Sequence, residues 1–432
     1  KNKKLVILLM VLTLTITVVP RQAVSAASKN ITIEQYIELL LKAMKVTVDK
    51  SQEDPYLAAA LKTGLLEKEN EFTYTKQMTR TECAVLTNRA DIYLNGNEVT
   101  KLYDNIVDLK RISDLSKVNK NYRDDIVQVF GKGIIVGYTN GKCTQDREFR
   151  GSNKITYDGA KAVITKLTNT KKRSVMSPDG QLTRTTKLPV NAKEFDYILA
   201  SFPNSFYEMK FYYELGKSSS KYIMYEDYCA PAHMKDMPDY NGTVEDTRKM
   251  LDTYLYQWCK VVEKNLYYRF NVNYKTVDTK WVKNLRNTYY FYGNDSMDQD
   301  KTDDIKDYVK ELKKNKVIIE SSLISVEPST LYYEDFYYLR AYVKFKVTSA
   351  SDVKGTLMYG KTYMPTLKKD QWHEGYYDIA LNGGSYSLGD DFKVSSSWLN
   401  DSWMKQKKTK ILKPTFNKKG DSDFPNGYYY FK

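Results

Sequence analysis

Three times before residue 170, a threonine is followed by an apolar pattern of helical period. The copies are Ile31-Thr32-Ile33-Glu34-Gln35 leading into YIELLLKAM, Met78-Thr79-Arg80-Thr81-Glu82 leading into CAVLTNRA, and Ile155-Thr156-Tyr157-Asp158-Gly159 leading into AKAVITKL. Aligned on the threonine, Tyr36, Cys83 and Ala160 coincide, then Leu39, Leu86 and Val163, then Ala43, Ala90 and Leu167. The spacing i, i+3, i+7 puts each set on one helix face, so the pattern predicts three helices with a core-facing stripe. The threonine suits the N-cap, where its hydroxyl accepts a bond from an unpaired backbone N–H. Gln35 and Glu82 fall where a capping box needs them, and Gly159 does not supply that half.

A second piece recurs between these helices: Pro55-YLAAALKTGLL and Tyr122-RDDIVQVFGKGIIVGYTNGK. Matching Gly64 to Gly133 brings Leu57 onto Ile126, Leu61 onto Phe130 and Leu65 onto Ile134. Each reads as a short helix ended by a glycine C-cap. In the second copy, Gly137-Tyr138-Thr139-Asn140-Gly141 is a turn. Units of two helices and a turn bury a core by stacking on their neighbours.

The first residues read as a secretory signal peptide, 1–26. Lys1, Lys3 and Lys4 are a basic start, Leu5 to Val19 carries no charge, and Val24-Ser25-Ala26 offers small residues for cleavage. The apolar run is shorter than the roughly 20 residues that span a bilayer. No later stretch is long and apolar enough, so no membrane contact is expected after cleavage. Net charge is +14, four of the positive charges lying in the leader (Lys1, Lys3, Lys4, Arg21). The excess that remains either suits an anionic partner or simply solvates a surface. Export and the lack of a nucleic-acid-binding motif argue against nucleic acid. Outside a bacterium, the abundant polyanions are wall polymers. Cys83, Cys143, Cys229 and Cys259 have no CxxC spacing; Cys83 lies on an apolar helical face as a small hydrophobe, and a Cys229–Cys259 disulfide is left open. His233 and His373 are the sole histidines, too few for a histidine metal site, and no cofactor motif is present.

Ile112-Ser113-Asp114-Leu115, Gly133-Ile134-Ile135-Val136-Gly137-Tyr138-Thr139-Asn140-Gly141 and Thr79-Arg80-Thr81-Glu82 together resemble the S-layer homology (SLH) family. The family motif runs from an Asp-containing start through a Gly-Ile-Ile-x-Gly-Tyr-x-x-Gly turn to a Thr-Arg-Ala-Glu helix start. The likeness covers about residues 29–170. It implies all-α repeats packed as a pseudo-trimer over 27–170, binding secondary cell-wall polysaccharide, often carrying pyruvate ketals, in grooves between repeats. S-layer or self-association is a further implication. Arg80 is the carried-over ligand: a guanidinium pairs a carboxylate in bidentate fashion, and the helix N-terminus around it favours an anion. The alternative is an exposed arginine without a partner. Thr79 and Glu82 read first as caps and second as ligands. Asp114 either orients a sugar hydroxyl or caps the turn before Tyr122. The arginine position holds Ile33 in the first copy and Tyr157 in the third, so one groove keeps the cation. Tyr157 either stacks on a sugar face or packs.

Residues 171–189 are polar, carry Lys171-Lys172-Arg173 and Pro178-Asp179-Gly180, and read as a linker. The tyrosine-rich remainder, 190–432, holds 30 of the chain's 38 tyrosines. Glu245 to Tyr268 is a long helical pattern with Leu251, Leu255, Trp258, Val262 and Leu266 on one face, and Val277 to Thr288 and Asp303 to Asn315 are further helices. Leu339 to Val347 alternates as a strand does; Thr356 to Tyr363, Tyr376 to Leu381 and Phe392 to Trp398 are further strands. Helices followed by antiparallel strands predict an α+β domain. That order is similar to cone-shaped folds of the nuclear-transport-factor-2-like kind, with no motif to carry the likeness.

Glu226-Asp227 and Asp303-Asp304 are adjacent in sequence, whereas a glycosidase pair must face across a bond. Pro231 interrupts the Cys229/His233 spacing. No nucleophile elbow, His-Glu-x-x-His or phosphate loop occurs. The tyrosine clusters either present flat amphipathic area to sugars and proteins or fill sheet faces. The leading expectation is a surface protein held on the bacterial wall by its repeats and displaying its C-terminal domain. A wall-anchored enzyme acting on polysaccharide through that domain is the alternative. A secreted binding protein with degenerate repeats is a third reading.

Overall fold

The computed structural model describes residues 29–141, 143–190, 192–208, 244–334, 336–360, 367–382, 393–395 and 399, with side chains left out at 194, 244–252 and 330–337. The leader, Cys229, His233, the 226–227 pair, the Leu251 side chain, and the tyrosines at 212–213 and 428–430 lie outside the described residues.

The three threonine-led helices form as the spacing predicts. They are α1 (Ile33–Ala43), α3 (Arg80–Asn95) and α6 (Tyr157–Thr168), capped by Thr32, Thr79 and Thr156. Capping boxes close at Gln35 and Glu82, while Thr156 accepts only the Gly159 N–H. Tyr36, Cys83 and Ala160 are buried, as are Leu86, Val163, Ala90 and Leu167. In the first copy the stripe is rotated slightly: Leu40, Leu41 and Met44 take the core, and Leu39 and Ala43 are half-buried.

The residue before each capping threonine joins a closed ring of backbone bonds. Ile31 N–H donates to Ile155 O at 3.1 Å, Ile155 N–H to Met78 O at 3.1 Å, and Met78 N–H to Ile31 O at 2.8 Å. All three side chains are buried. One device thus caps the helices and fixes their mutual positions.

Helices α2 (Pro55–Lys62) and α5 (Arg123–Gly131) are the second recurring piece. Both are followed by a glycine at positive φ, +73° at Gly64 and +70° at Gly133. At Gly133 a side chain is excluded twice over, because a Cβ would also sit 1.9 Å from Ser174 O. A short helix, α4 (Tyr103–Asp108), was not expected; it starts at Leu102 with no side-chain cap. The glycine turn continues into a hairpin, β1 (Tyr138–Thr139) with β2 (Arg147–Glu148).

The 171–189 stretch is not a linker. Met176 bridges Leu182 and Thr183 bridges Leu199, and Ser177, Asp179 and Gln181 are buried. Its polar residues misled because they are hydrogen-bonded inside the molecule rather than solvated: Ser177 Oγ and Gln181 Nε2 both donate to the Asp179 carboxylate.

Beyond a single-turn helix, α7 (Asn204–Tyr207), the C-terminal region is helices on an antiparallel sheet. The helices are α8 (Val244–Phe270), α9 (Thr279–Arg286) and α10 (Asp295–Lys314). The five strands run in chain order: β3 (Val272–Asn273), β4 (Ile318–Glu334), β5 (Phe336–Ser349), β6 (Trp372–Asn382) and β7 (Lys393–Val394). Leu255, Trp258, Val262 and Leu266 of α8 pack into one core with Ile324, Val326, Leu339, Val343 and Phe345 of the sheet. The opposite sheet face is covered by Phe202, Phe206 and Tyr207 against Tyr342 and Tyr376. Among the described tyrosines, Tyr289 and Tyr377 are fully buried and Tyr376 stacks on Tyr342 at 5.0 Å, filling sheet faces. Residues 356–360 hold an isolated bridge at Met358 rather than the start of a strand; 361–363, Phe392 and 396–398 lie outside the described residues. Cys259 is a buried free thiol, and the possible pairing with Cys229 lies outside the described residues. No described helix is long and apolar enough to cross a membrane.

The halves share a buried joint. Arg111, after α4, pairs with Asp179 at 2.5 Å, with Asp146 at 3.3 Å and with Glu263 of α8 at 3.6 Å. Lys260, one turn before Glu263, bonds both Asp146 and Glu263.

Candidate functional site

Thr79, Glu82 and Asp114 come together on one open cleft of about 630 Å³, between the start of α3 and the loop after β2. Arg150, Lys117 and Tyr122 share its lining. The acids of this cleft are engaged. Glu82 accepts from Thr79 N–H (2.6 Å) and the Thr79 hydroxyl (2.7 Å). Asp114 accepts the N–H groups of Phe149 (2.6 Å) and Arg150 (2.8 Å). Glu71 pairs with Arg89 and Glu148 with Arg150. Lys117 is exposed and makes no ion pair among the described residues. Lys117 is thus the cleft-lining cation left without an acid partner among the described residues, while Glu82 and Asp114 keep their charges and are held by neutral donors.

Arg80 sits at the first position of α3, beside the cleft. Its Nε donates to Phe149 O at 2.9 Å. Its guanidinium lies 4.7 Å from the centre of the Tyr138 ring and 5.1 Å from that of Phe149. The Arg150 guanidinium lies 4.8 Å from the same Tyr138 ring, which is 43% exposed. Two guanidinium groups thus lie over one exposed tyrosine ring, and among the described residues Arg80 has no carboxylate partner. An oxyanion there meets the Arg80 guanidinium, with Arg150, which Glu148 already engages, beside it.

The helix terminus itself offers no anion site, contrary to expectation. Arg80 N–H donates to Asn153 O (2.8 Å), Thr81 N–H to Gly151 O (3.0 Å), and Glu82 N–H to Thr79 Oγ1 (3.2 Å). The segment that enters α6 has consumed the orphan donors of α3. Any attraction for anions rests on side chains.

Tyr157 is not part of this cleft. It opens α6, 37% exposed, with Lys161 Nζ 4.9 Å above its ring and its own N–H bonded to Lys29 O. Asp303 of the second acidic pair lies on the exposed face of α10, paired with Lys306. Residue-type reasoning missed Tyr138 as a ring and Arg150 altogether. Tyr138 was legible as part of the glycine turn; Arg150 belongs to no motif and is recruited because Asp114 holds its backbone.

No family model matches the chain, and no curated protein matches it.

Proposed function

We propose that residues 29–170 hold this protein non-covalently on a bacterial cell wall by binding an anionic secondary polysaccharide, and that the C-terminal α+β region is displayed from there. The observation that carries the reading is the pair Arg80 and Arg150 on the exposed Tyr138 ring, beside a cleft whose acids are all engaged. The Arg80 guanidinium, with Arg150 beside it, suits a carboxylate or ketal-linked acid. The ring of bonds through Ile31, Met78 and Ile155 supports SLH-like repeats packed as a pseudo-trimer. The leader-like first residues and the basic charge are consistent with a place outside the cell.

The test is co-sedimentation of the full chain with purified wall sacculi, intact and after chemical removal of the non-peptidoglycan polymer. Pelleting with intact sacculi alone is expected. Equal pelleting with stripped sacculi would move the ligand to peptidoglycan, and no pelleting with either would remove wall anchoring.

A further inference from the structure

Tyr138 and Glu148 stand on the β1–β2 hairpin, and Arg150 follows it directly. The ladder of that hairpin is two residue pairs, Tyr138 with Glu148 and Thr139 with Arg147. So short a ribbon does not hold itself in water. Its stem is tied within the N-terminal half: Arg147 N–H donates to Arg111 O at 2.8 Å, and the Arg147 guanidinium donates to Val136 O at 2.6 Å and Gly137 O at 2.8 Å. Its tip is tied to the other half. Cys143 O accepts the Ile324 N–H of β4 at 2.7 Å, and Gln145 Nε2 donates to Ile324 O at 3.1 Å. Asp146 bonds Lys260 of α8. Cys143 Sγ lies 3.0 Å from Ser321 Oγ and 3.3 Å from Asn271 Nδ2. Cys143 is buried in the core of the C-terminal domain. The same contacts occupy backbone groups of β4 next to its two-residue partner β3, where the strand edge would otherwise be open.

We propose that the C-terminal domain is a working part of the binding site, with Lys260 and the Ile324 backbone acting as positioning groups that set the hairpin and so aim Tyr138 and Arg150. The functional half of this inference rests on the cleft being the ligand site; the positioning half does not. A hairpin freed at its tip must be ordered again when a ligand binds, which weakens binding. By linkage, a ligand that fastens Tyr138 and Arg150 also tightens the joint between the halves.

The experiment compares full-length wild type with a Gln145→Ala/Lys260→Met double variant by hydrogen exchange and by sacculus binding. Amides of residues 136–150 are expected to exchange about tenfold faster in the variant, while those in the body of α3 stay unchanged. Sacculus affinity is expected to fall several-fold, and Lys260→Arg to retain both properties. Unchanged exchange over 136–150 would overturn the positioning claim, whether or not sacculi are bound. Faster exchange with undiminished sacculus binding would overturn the link to the site. Faster exchange when wild type itself fails to bind sacculi would uphold the positioning and overturn the wall reading instead. Should the double variant not fold, Gln145→Ala alone, which removes one side-chain bond to Ile324 O, is read in the same way.

Discussion

Arg111 and Asp179 lie 2.5 Å apart with side chains 2% and 0% exposed. One belongs to the helical N-terminal half and the other to the stretch whose composition looks like a linker. Arg111 Nε also donates to Asp179 O at 2.7 Å, and Glu263 of α8 approaches the same guanidinium. Desolvating these charges is costly, and it is offset because each meets an opposite charge. Removing only Arg111 leaves Asp179 without a cation and leaves Asp146 and Glu263 to share Lys260.

Arg111→Met is therefore expected to cost about 3–5 kcal/mol in urea denaturation. The double change Arg111→Met/Asp179→Leu is expected to regain part of that loss, because one uncompensated charge goes with it. A loss under about 1 kcal/mol for the single variant would mean that the acids reach water without the arginine.

Glu327, on β4, is buried, and burial pushes its carboxyl up from 4.5 to about 7, against bonds from the Tyr207 hydroxyl and Ser329. The folded chain holds this proton in a range where the unfolded chain releases it. The stability linked to it is complete below about pH 4.5 and is lost as pH rises through about 7. The wild type is expected to lose up to about 3 kcal/mol from this group between those values. Glu327→Gln removes the loss, so urea midpoints of the two proteins should differ in pH slope over this window. Parallel slopes would show Glu327 ionised while folded.

Asp114 receives two adjacent N–H groups, from Phe149 and Arg150, at the floor of the cleft. Asp114→Ala leaves both without their acceptor and is expected to cost about 2–3 kcal/mol. Asp114→Asn keeps one acceptor oxygen and should cost about half as much. Thr79→Ala, which opens one capping box, is expected to cost about 1 kcal/mol. Thermal or urea unfolding ranks the three variants, and an Asp114→Ala cost below that of Thr79→Ala would contradict the ordering.

Gly133→Ala places a methyl group against Ser174 O at a backbone angle that favours glycine. At least about 2 kcal/mol of destabilisation is expected, more than at Gly64, where φ is similar and nothing lies within 4 Å. Equal losses at the two glycines would show that Ser174 yields freely.

What could be read from the sequence was local and periodic. Thr32, Thr79 and Thr156 announce their helices because capping is decided within four residues, and Leu339 to Val347 announces β5 because its alternation is unbroken. Strand β4 stayed hidden. Register shifts at Ser321/Leu323 and Glu327/Tyr332 break its period, and its buried Ser325 and Glu327 look like surface residues. The first two turns of α10, Asp295 to Lys301, carry no apolar stripe and rest on the Asn294 cap, so that helix seemed to begin at Asp303. Thr79, Glu82 and Asp114 in the cleft, and Arg80 beside it, were legible from motif spacing. The convergence of Arg150 on Tyr138 depends on Asp114, 36 residues before Arg150, and the consumption of α3's free N–H groups by Gly151 and Asn153 depends on a segment about 70 residues away, so neither leaves a local trace.

The most direct measurement is sacculus co-sedimentation of full-length wild type against Arg80→Ala and Arg80→Lys at low and moderate salt. Arg80 bonds one carbonyl and faces two rings, so its loss leaves the fold largely intact. Affinity is expected to fall at least about tenfold for Arg80→Ala and less for Arg80→Lys, with salt weakening the wild type most. Wild-type binding left untouched by Arg80→Ala would contradict the assignment of this cleft as the wall-binding site.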